Sequence, residues 1–342
     1  MLDLDDYDFA LPPQQIAQEP PPERDGGRLL QLDRASGAIS HRTIRELPER
    51  LGPDDLLVLN TTRVLPARLR GRKATGGQAE ALLLGPAGPA RYRALLRTRG
   101  RQRVGQKLHF EREALHAEAE IVEIAEDGVV ELAFTTADSP YALGEMPLPP
   151  YIRREAARAE DAERYQTTFA RVPGSVAAPT AGLHLSDALL AMIAARGVAR
   201  AEVVLHVGLG TFRPIEADDV ARGQLHSERY VLPEATAEAI ARTRARGGRV
   251  VAIGTTATRV LETCAEADGR VRAGEGETQL FLQPGERFRV VDALLTNFHL
   301  PRSSLLLLVA AFAGREPVLR AYREAVAANY RFFSYGDAMW IA

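Results

Sequence analysis

Arg249-Val-Val-Ala-Ile-Gly-Thr-Thr-Ala-Thr-Arg259 reads as a buried strand, a glycine turn and the first turn of a helix. Four apolar residues in a row, two of them β-branched at the start, suit a strand covered on both faces. Gly254 supplies the backbone freedom of the turn, and Thr255 or Thr256 is placed to cap the helix. The same unit recurs on either side. Ala201–Val207 is a strand ending in Gly208-Leu-Gly210, and Arg289–Thr296 is a strand running into Asn-Phe-His299. Asp55–Asn60 is a further buried strand. Helices are expected over Asp187–Arg196 (Ser186 as N-cap), Glu234–Ala245, Thr258–Ala267, Ser303–Phe312 and Pro317–Asn329, with Ala338–Ile341 closing the sheet. Alternating strands and helices predict an α/β layer domain with a largely parallel sheet. In such sheets ligands bind beyond the carboxyl ends of the strands.

Between these elements the pattern changes. From about Val64 to Thr136 the chain reads as short alternating strands: Glu80–Leu84, Tyr92–Thr98, Lys107–Phe110, Ala117–Ile124 and Val129–Phe134. Their spacing of roughly 8–12 residues predicts a small antiparallel barrel. The layout expected is a discontinuous α/β domain, residues 1–63 and 150–342, with the barrel of residues 64–149 inserted in it. Arg28–Asp33 and Ala38–Thr43 read as a hairpin, and residues 10–25 as an extended arm.

Charge is concentrated in the barrel. Residues 61–110 carry twelve Arg or Lys against one acid, Glu80, a local charge of +11 in a chain whose net charge is −2. Such a basic region is the footprint of a nucleic-acid binder or a solvated barrel face. Arg91, Arg93, Arg97, Arg99, Arg101 and Arg103 recur at odd positions, so pairs of them share a face of an extended strand. No apolar run reaches the roughly 18–20 residues that span a bilayer, and the acidic start of the chain is unlike a signal peptide. With the single Cys264, this points to the reducing cytoplasm.

Chemistry is expected where histidines meet glycine, threonine or proline: Pro-Thr180-Ala-Gly182-Leu-His184, His206-Val-Gly208-Leu-Gly210-Thr211, His226-Ser-Glu228 and Thr-Asn-Phe-His299. A titratable imidazole fixed at a strand end is suited to acid/base work. His226 and Glu228, two apart, would face the same side of an extended strand, and could share a proton, make a charge-tuned base or form a buried structural hydrogen bond. The Gly208–Gly210 segment is either a tight turn or a nucleotide loop of the S-adenosylmethionine type, although Pro214 ends it early. The Gly254 turn is either an ordinary strand–helix corner or an anion site. No spacing typical of a metal centre occurs, and Ser175 lacks the Gly-x-Ser-x-Gly elbow. His41, His109 and His116 lie at polar positions and are expected to be solvated.

These segments together resemble the S-adenosylmethionine:tRNA ribosyltransferase-isomerases of queuosine biosynthesis. The resemblance runs from Asp6-Tyr-Asp-Phe-Ala-Leu-Pro12 through Val58-Leu-Asn-Thr-Thr-Arg63-Val-Leu-Pro-Ala-Arg68-Leu, Pro149-Pro-Tyr-Ile-Arg153 and Gly174-Ser-Val-Ala-Ala-Pro-Thr-Ala-Gly-Leu-His184. It continues through His206-Val-Gly-Leu-Gly-Thr-Phe-Arg-Pro214, Thr296-Asn-Phe-His-Leu-Pro301 and Tyr330-Arg-Phe-Phe-Ser-Tyr-Gly-Asp337. Thr61 stands where the family often has Asp, and Leu185 where it often has Phe. The resemblance implies S-adenosylmethionine as ribosyl donor and tRNA carrying 7-aminomethyl-7-deazaguanine at the wobble position as acceptor. The products would be epoxyqueuosine-tRNA, adenine and methionine, formed in the cytoplasm by a monomer without a metal. Glu228, His184, His206 and His226 become the acid/base candidates. Thr180, Gly182, Gly208, Gly210, Thr211, Gly254, Thr255, Thr256 and His299 become candidates for the S-adenosylmethionine site. Asn60, Arg63, Arg68, Lys73, Arg97 and Arg99 become candidates for tRNA. Two rivals remain at this stage, a methyltransferase using the same donor and a non-catalytic tRNA-binding module.

Overall fold

The computed structural model describes residues 2–125, 128–135, 138–154, 156–208, 215 and 217–342. The N-terminal part supplies β1 (Arg28–Leu32), β2 (Ile39–Thr43), β3 (Leu56–Asn60) and β4 (Thr62–Val64). The barrel follows with β5 (Arg68–Lys73), β6 (Gln78–Gly88), β7 (Arg91–Thr98), β8 (Lys107–Arg112), β9 (Leu115–Ile124) and β10 (Val129–Phe134). The remainder contains α1 (Asp161–Arg164), β11 (Val172–Ser175), α2 (Asp187–Ala195), β12 (Ala199–Leu205), α3 (Ala217–Arg222), β13 (Gln224–Leu232) and α4 (Glu234–Ala245). It ends with β14 (Val250–Ile253), α5 (Gly254–Thr263), β15 (Gly274–Leu280), β16 (Ala293–Asn297), α6 (Ser304–Ala313), α7 (Arg315–Ala327) and β17 (Ala338–Ile341).

Among the described residues one nine-stranded sheet runs in the order β15-β13-β12-β3-β14-β16-β17-β1-β2. Its centre, β12-β3-β14-β16, is parallel. These are the strands with continuous apolar sequence. Leu56–Asn60, Val250–Ile253 and Ala293–Asn297 are buried at every position, because cores lie on both faces. One core packs α5, α6 and α7 against the sheet, and the other packs α2 on the opposite face. Ser186 caps α2 as expected, accepting from the Leu189 N–H at 3.0 Å. The flanks are mixed. The strand β17 is antiparallel to β16, and β13 is antiparallel to both β12 and β15.

The six strands β5–β10 close a barrel, as the strand spacing predicts. On β7 Ala94 and Leu96 point into its core while Arg91, Arg93 and Arg97 point out. Strands β4 and β11 form a two-stranded parallel ladder between the barrel and the large sheet. Ser175 makes that junction rigid. Its Oγ accepts from the Val207 N–H at 2.8 Å and donates to the Ala177 carbonyl at 2.7 Å, so the hydroxyl is consumed by backbone.

The candidate active site

The carboxyl ends of the four central parallel strands lie along one edge of the sheet. Beyond them come His206 and Gly208 from β12, Asn60 at the end of β3, Gly254 after β14, and Asn297 and His299 after β16. Residues drawn from more than a hundred positions of sequence therefore meet where the topology predicts a ligand site.

His206 sits at the junction of this edge with the barrel. Its Nδ1 is 2.8 Å from Thr62 Oγ1. Gly174 of β11 lies against the ring, and a Cβ there would stand 2.7 Å from its Cε1. Glycine is required at 174 for that close approach and for its φ of +147°. Burial, aided by Arg229, lowers the His206 pKa and keeps the imidazole neutral near pH 7, able to accept a proton.

Asn60, which the sequence suggests for tRNA, lies beneath this edge instead. It is 1% exposed, and its carboxamide donates to the Leu205 carbonyl and accepts from the Leu205 and Thr62 amides, each at 3.1 Å. It clamps the ends of β3 and β12 together from a buried position.

A second group gathers around the end of β16. The Asn297 amide nitrogen donates to the Phe333 carbonyl at 3.0 Å, which fixes the orientation of the amide. The same nitrogen lies 3.0 Å from His184 Nε2, so Nε2 accepts and the proton of the neutral ring is on Nδ1. His184 lines a small cleft with Arg24, Arg164 and Tyr335. Its pKa falls to about 4 through burial and the nearby Arg331. His299 is similarly depressed by burial, to about 3, with Nε2 3.0 Å from Thr296 Oγ1. Thr180 opens the short helical turn Thr180–His184. Within it Gly182 lies against Phe169 and Thr167, where a Cβ would come within 2.8 Å of each. Gly254, at φ +88°, has Ala181 of that turn 3.2 Å from the position of a Cβ. The start of α5 thus packs against this turn.

Glu228 and His226 separate. The pairing of β13 with β15 shifts register between Gln224 and Glu228, so the simple alternation expected of the strand fails. Glu228 is buried at 6% exposure, whereas His226 is exposed. Glu228 Oε1 accepts from the Gly208 N–H at 2.8 Å, and Oε2 pairs with Nη1 of buried Arg259. Through these contacts the carboxylate ties Gly208 at the end of β12 to Arg259 of α5. Gly210 and Thr211 lie outside the described residues. Thr255 is buried, but neither it nor Thr256 caps α5, which begins at Gly254 with no side-chain cap.

Arg259, Asn297, Thr62 and Gly174 carry much of this geometry, and the sequence marks none of them individually. Arg259 stood inside the opening stretch, five residues after Gly254, an arginine among small and apolar helix residues. That context was the available signal. On the barrel Arg97 and Arg99 are exposed and have no ion-pair partner among the described residues, as is true of Arg93, Arg101 and Arg103. Arg63 is exposed beside Thr62. Arg68 is more constrained, donating to the Leu148 carbonyl at 2.9 Å and lying 3.9 Å from Glu80. Lys73 donates to the Arg99 carbonyl at 2.6 Å. Among the described residues no three His, Cys, Asp or Glu side chains are grouped to hold a metal ion, and no helix is long and apolar enough to cross a membrane.

Residues 4–341 match the family model described as queuosine biosynthesis protein. The chain belongs to this family. Relatives in the queuosine biosynthesis family named S-adenosylmethionine:tRNA ribosyltransferase-isomerase include a protein of Anaeromyxobacter sp. (strain K), 54% identical, with 99% of each chain covered. One from Azoarcus sp. (strain BH72) is 52% identical over 99% of this chain and 97% of the relative. Among solved structures, the S-adenosylmethionine tRNA ribosyltransferase of Thermotoga maritima is 38% identical. It superposes with a TM-score of 0.57, covering 98% of this chain and all of that one.

Proposed function

We infer that this protein is an S-adenosylmethionine:tRNA ribosyltransferase-isomerase acting in queuosine biosynthesis. The observation that carries the reading is the near-complete, end-to-end identity of 50–54% to relatives bearing that name. The layout of the molecule supports it: a sheet edge lined by neutral histidines adjoins a barrel that exposes Arg93, Arg97, Arg99, Arg101 and Arg103, without ion-pair partners among the described residues. The donor is S-adenosylmethionine, and the acceptor is the aminomethyl group of 7-aminomethyl-7-deazaguanine at the tRNA wobble position. The products are epoxyqueuosine-tRNA, adenine and methionine.

The reaction requires removal of a proton beside the sulfonium, departure of adenine, attack by a neutral amine, and displacement of methionine by a ribose hydroxyl. Each proton transfer needs a group whose protonation state is fixed beforehand. His206 is the base in this reading. It is neutral, half-buried and held by Thr62, with the Gly174 backbone limiting its rotation. His184 presents the tautomer with Nδ1–H, suited to donating a hydrogen bond toward the adenine or ribose. Thr180, Gly182, Gly208, Gly254, Thr255, Thr256 and His299 form the donor's surroundings. The barrel of residues 64–149 is an inserted domain whose Arg97 and Arg99, together with Arg63 just before it, track the anticodon-arm phosphates, with Arg68 and Lys73 at its margin. The enzyme works as a cytoplasmic monomer, without a metal.

The test is product analysis. Purified protein, given S-adenosylmethionine and tRNA bearing the aminomethyl-deazaguanine, is expected to release adenine and methionine. Formation of S-adenosylhomocysteine instead would make it a methyltransferase. Binding of tRNA without turnover would make it a non-catalytic module.

A further inference from the structure

Helix α5 is ten residues long and starts with its first-turn amides uncapped. Those amides carry the positive end of the helix dipole. Arg259, on the next turn, is 5% exposed. Its Nη1 pairs with Glu228, and its Nε donates to the carbonyl of Leu280, the last residue of β15, at 3.1 Å. Nη2 is buried and has no hydrogen-bond partner among the described residues. A guanidinium has five N–H donors and stays charged, so two buried donors left open are costly and unusual. Thr256 Oγ1, three residues earlier on the same helix face, is also buried without a partner. Helical side chains lean toward the N-terminus, the direction in which Thr256 and the uncapped amides lie from Arg259. Glu228 fixes the guanidinium from the other side while holding the Gly208 N–H.

We propose that Nη2 of Arg259, Thr256 Oγ1 and the first-turn amides of α5 form the receptor for a carboxylate, namely that of the amino-acid tail of S-adenosylmethionine. This rests on the functional reading above and adds the subsite. A planar guanidinium and helix N–H groups match a carboxylate in both charge and geometry. The receptor holds the methionine portion as the leaving group at the end of the sheet. The sulfonium and ribose are then directed along the edge toward His206. Glu228 is a positioning residue in this arrangement, because it acts through Arg259.

Calorimetric titration with S-adenosylmethionine and with its decarboxylated analogue tests the assignment, in the presence and absence of unmodified tRNA. The wild type is expected to prefer the carboxylate-bearing ligand. Thr256→Val should weaken S-adenosylmethionine about 10-fold, the scale of one hydrogen bond to a charged group, while the analogue changes less than about twofold. Arg259→Lys should weaken S-adenosylmethionine about 100-fold with the same selectivity. If Arg259→Lys does not fold, Thr256→Val, which leaves the Glu228 pair intact, decides alone. Equal wild-type affinity for the two ligands, or an equal loss for both in Thr256→Val, overturns the carboxylate receptor and leaves the functional reading standing. Failure of the wild type to bind S-adenosylmethionine under either condition overturns both.

Discussion

The barrel face and the sheet edge handle charge in opposite ways. On the barrel, Arg93, Arg97, Arg99, Arg101 and Arg103 are exposed and without ion-pair partners among the described residues. At the edge, His184, His206 and His299 are taken out of water and held neutral. Exposed charge attracts a polyanion over a distance set by ionic strength. Buried neutral imidazoles offer proton transfer without attracting anything. In the proposed function, recognition and chemistry are separated in space, and the β4–β11 ladder, with Thr62, Arg63 and Gly174, lies between the barrel and the sheet.

The sharpest break of this division is at His206. Replacing it with Gln keeps a polar side chain near Thr62 but removes the base. Turnover should fall roughly 10²–10⁴-fold, with tRNA affinity unchanged. A matching fall in tRNA affinity would mean the two regions are not separable.

Next comes pH. The depressed His184 and His299 pKa values mean that the unfolded chain binds protons before the native state does. The stabilisation is fully present above the unfolded pKa near 6.5 and is lost as pH falls toward about 4 and about 3. Denaturant titrations should show stability declining through this window, by on the order of 3 kcal/mol for His184 at full effect. Replacing His184 with Asn should flatten the decline, and an unchanged slope would place the linkage elsewhere.

The smallest effect belongs to the barrel. Converting Arg97 and Arg99 to Ala should weaken tRNA binding several-fold and reduce the slope of log affinity against log salt by about 1–2. S-adenosylmethionine affinity should not change. An unaltered salt slope returns these arginines to a solvated surface.

The sequence made the scaffold legible where apolar patterning was strong. The continuous runs at 56–60 and 250–253 gave central strands, and the alternation at 92–98 gave a barrel strand. It hid what depends on pairing. Gly274–Leu280 has little apolar content and becomes a strand only because β13 lies beside it. The register shift that parts His226 from Glu228 has no local mark either. The histidines, glycines and Gly254 turn of the site were visible as types and positions. Their partners were not, since the Glu228–Arg259 and His184–Asn297 contacts join residues remote in sequence.

The sheet also constrains the order of assembly. Strand β17 fits between β16 and β1, pairing Leu29 with Ala338 and burying Trp340. During synthesis β1 therefore waits for β17, a segment made long after it. The barrel closes within one continuous stretch and need not wait. A nascent chain that stops before residue 338 carries two bare strand edges, β16 and β1, each a template for another chain. Strand β17 is a latch, and quality control on the ribosome would see an unfinished sheet beside a finished barrel.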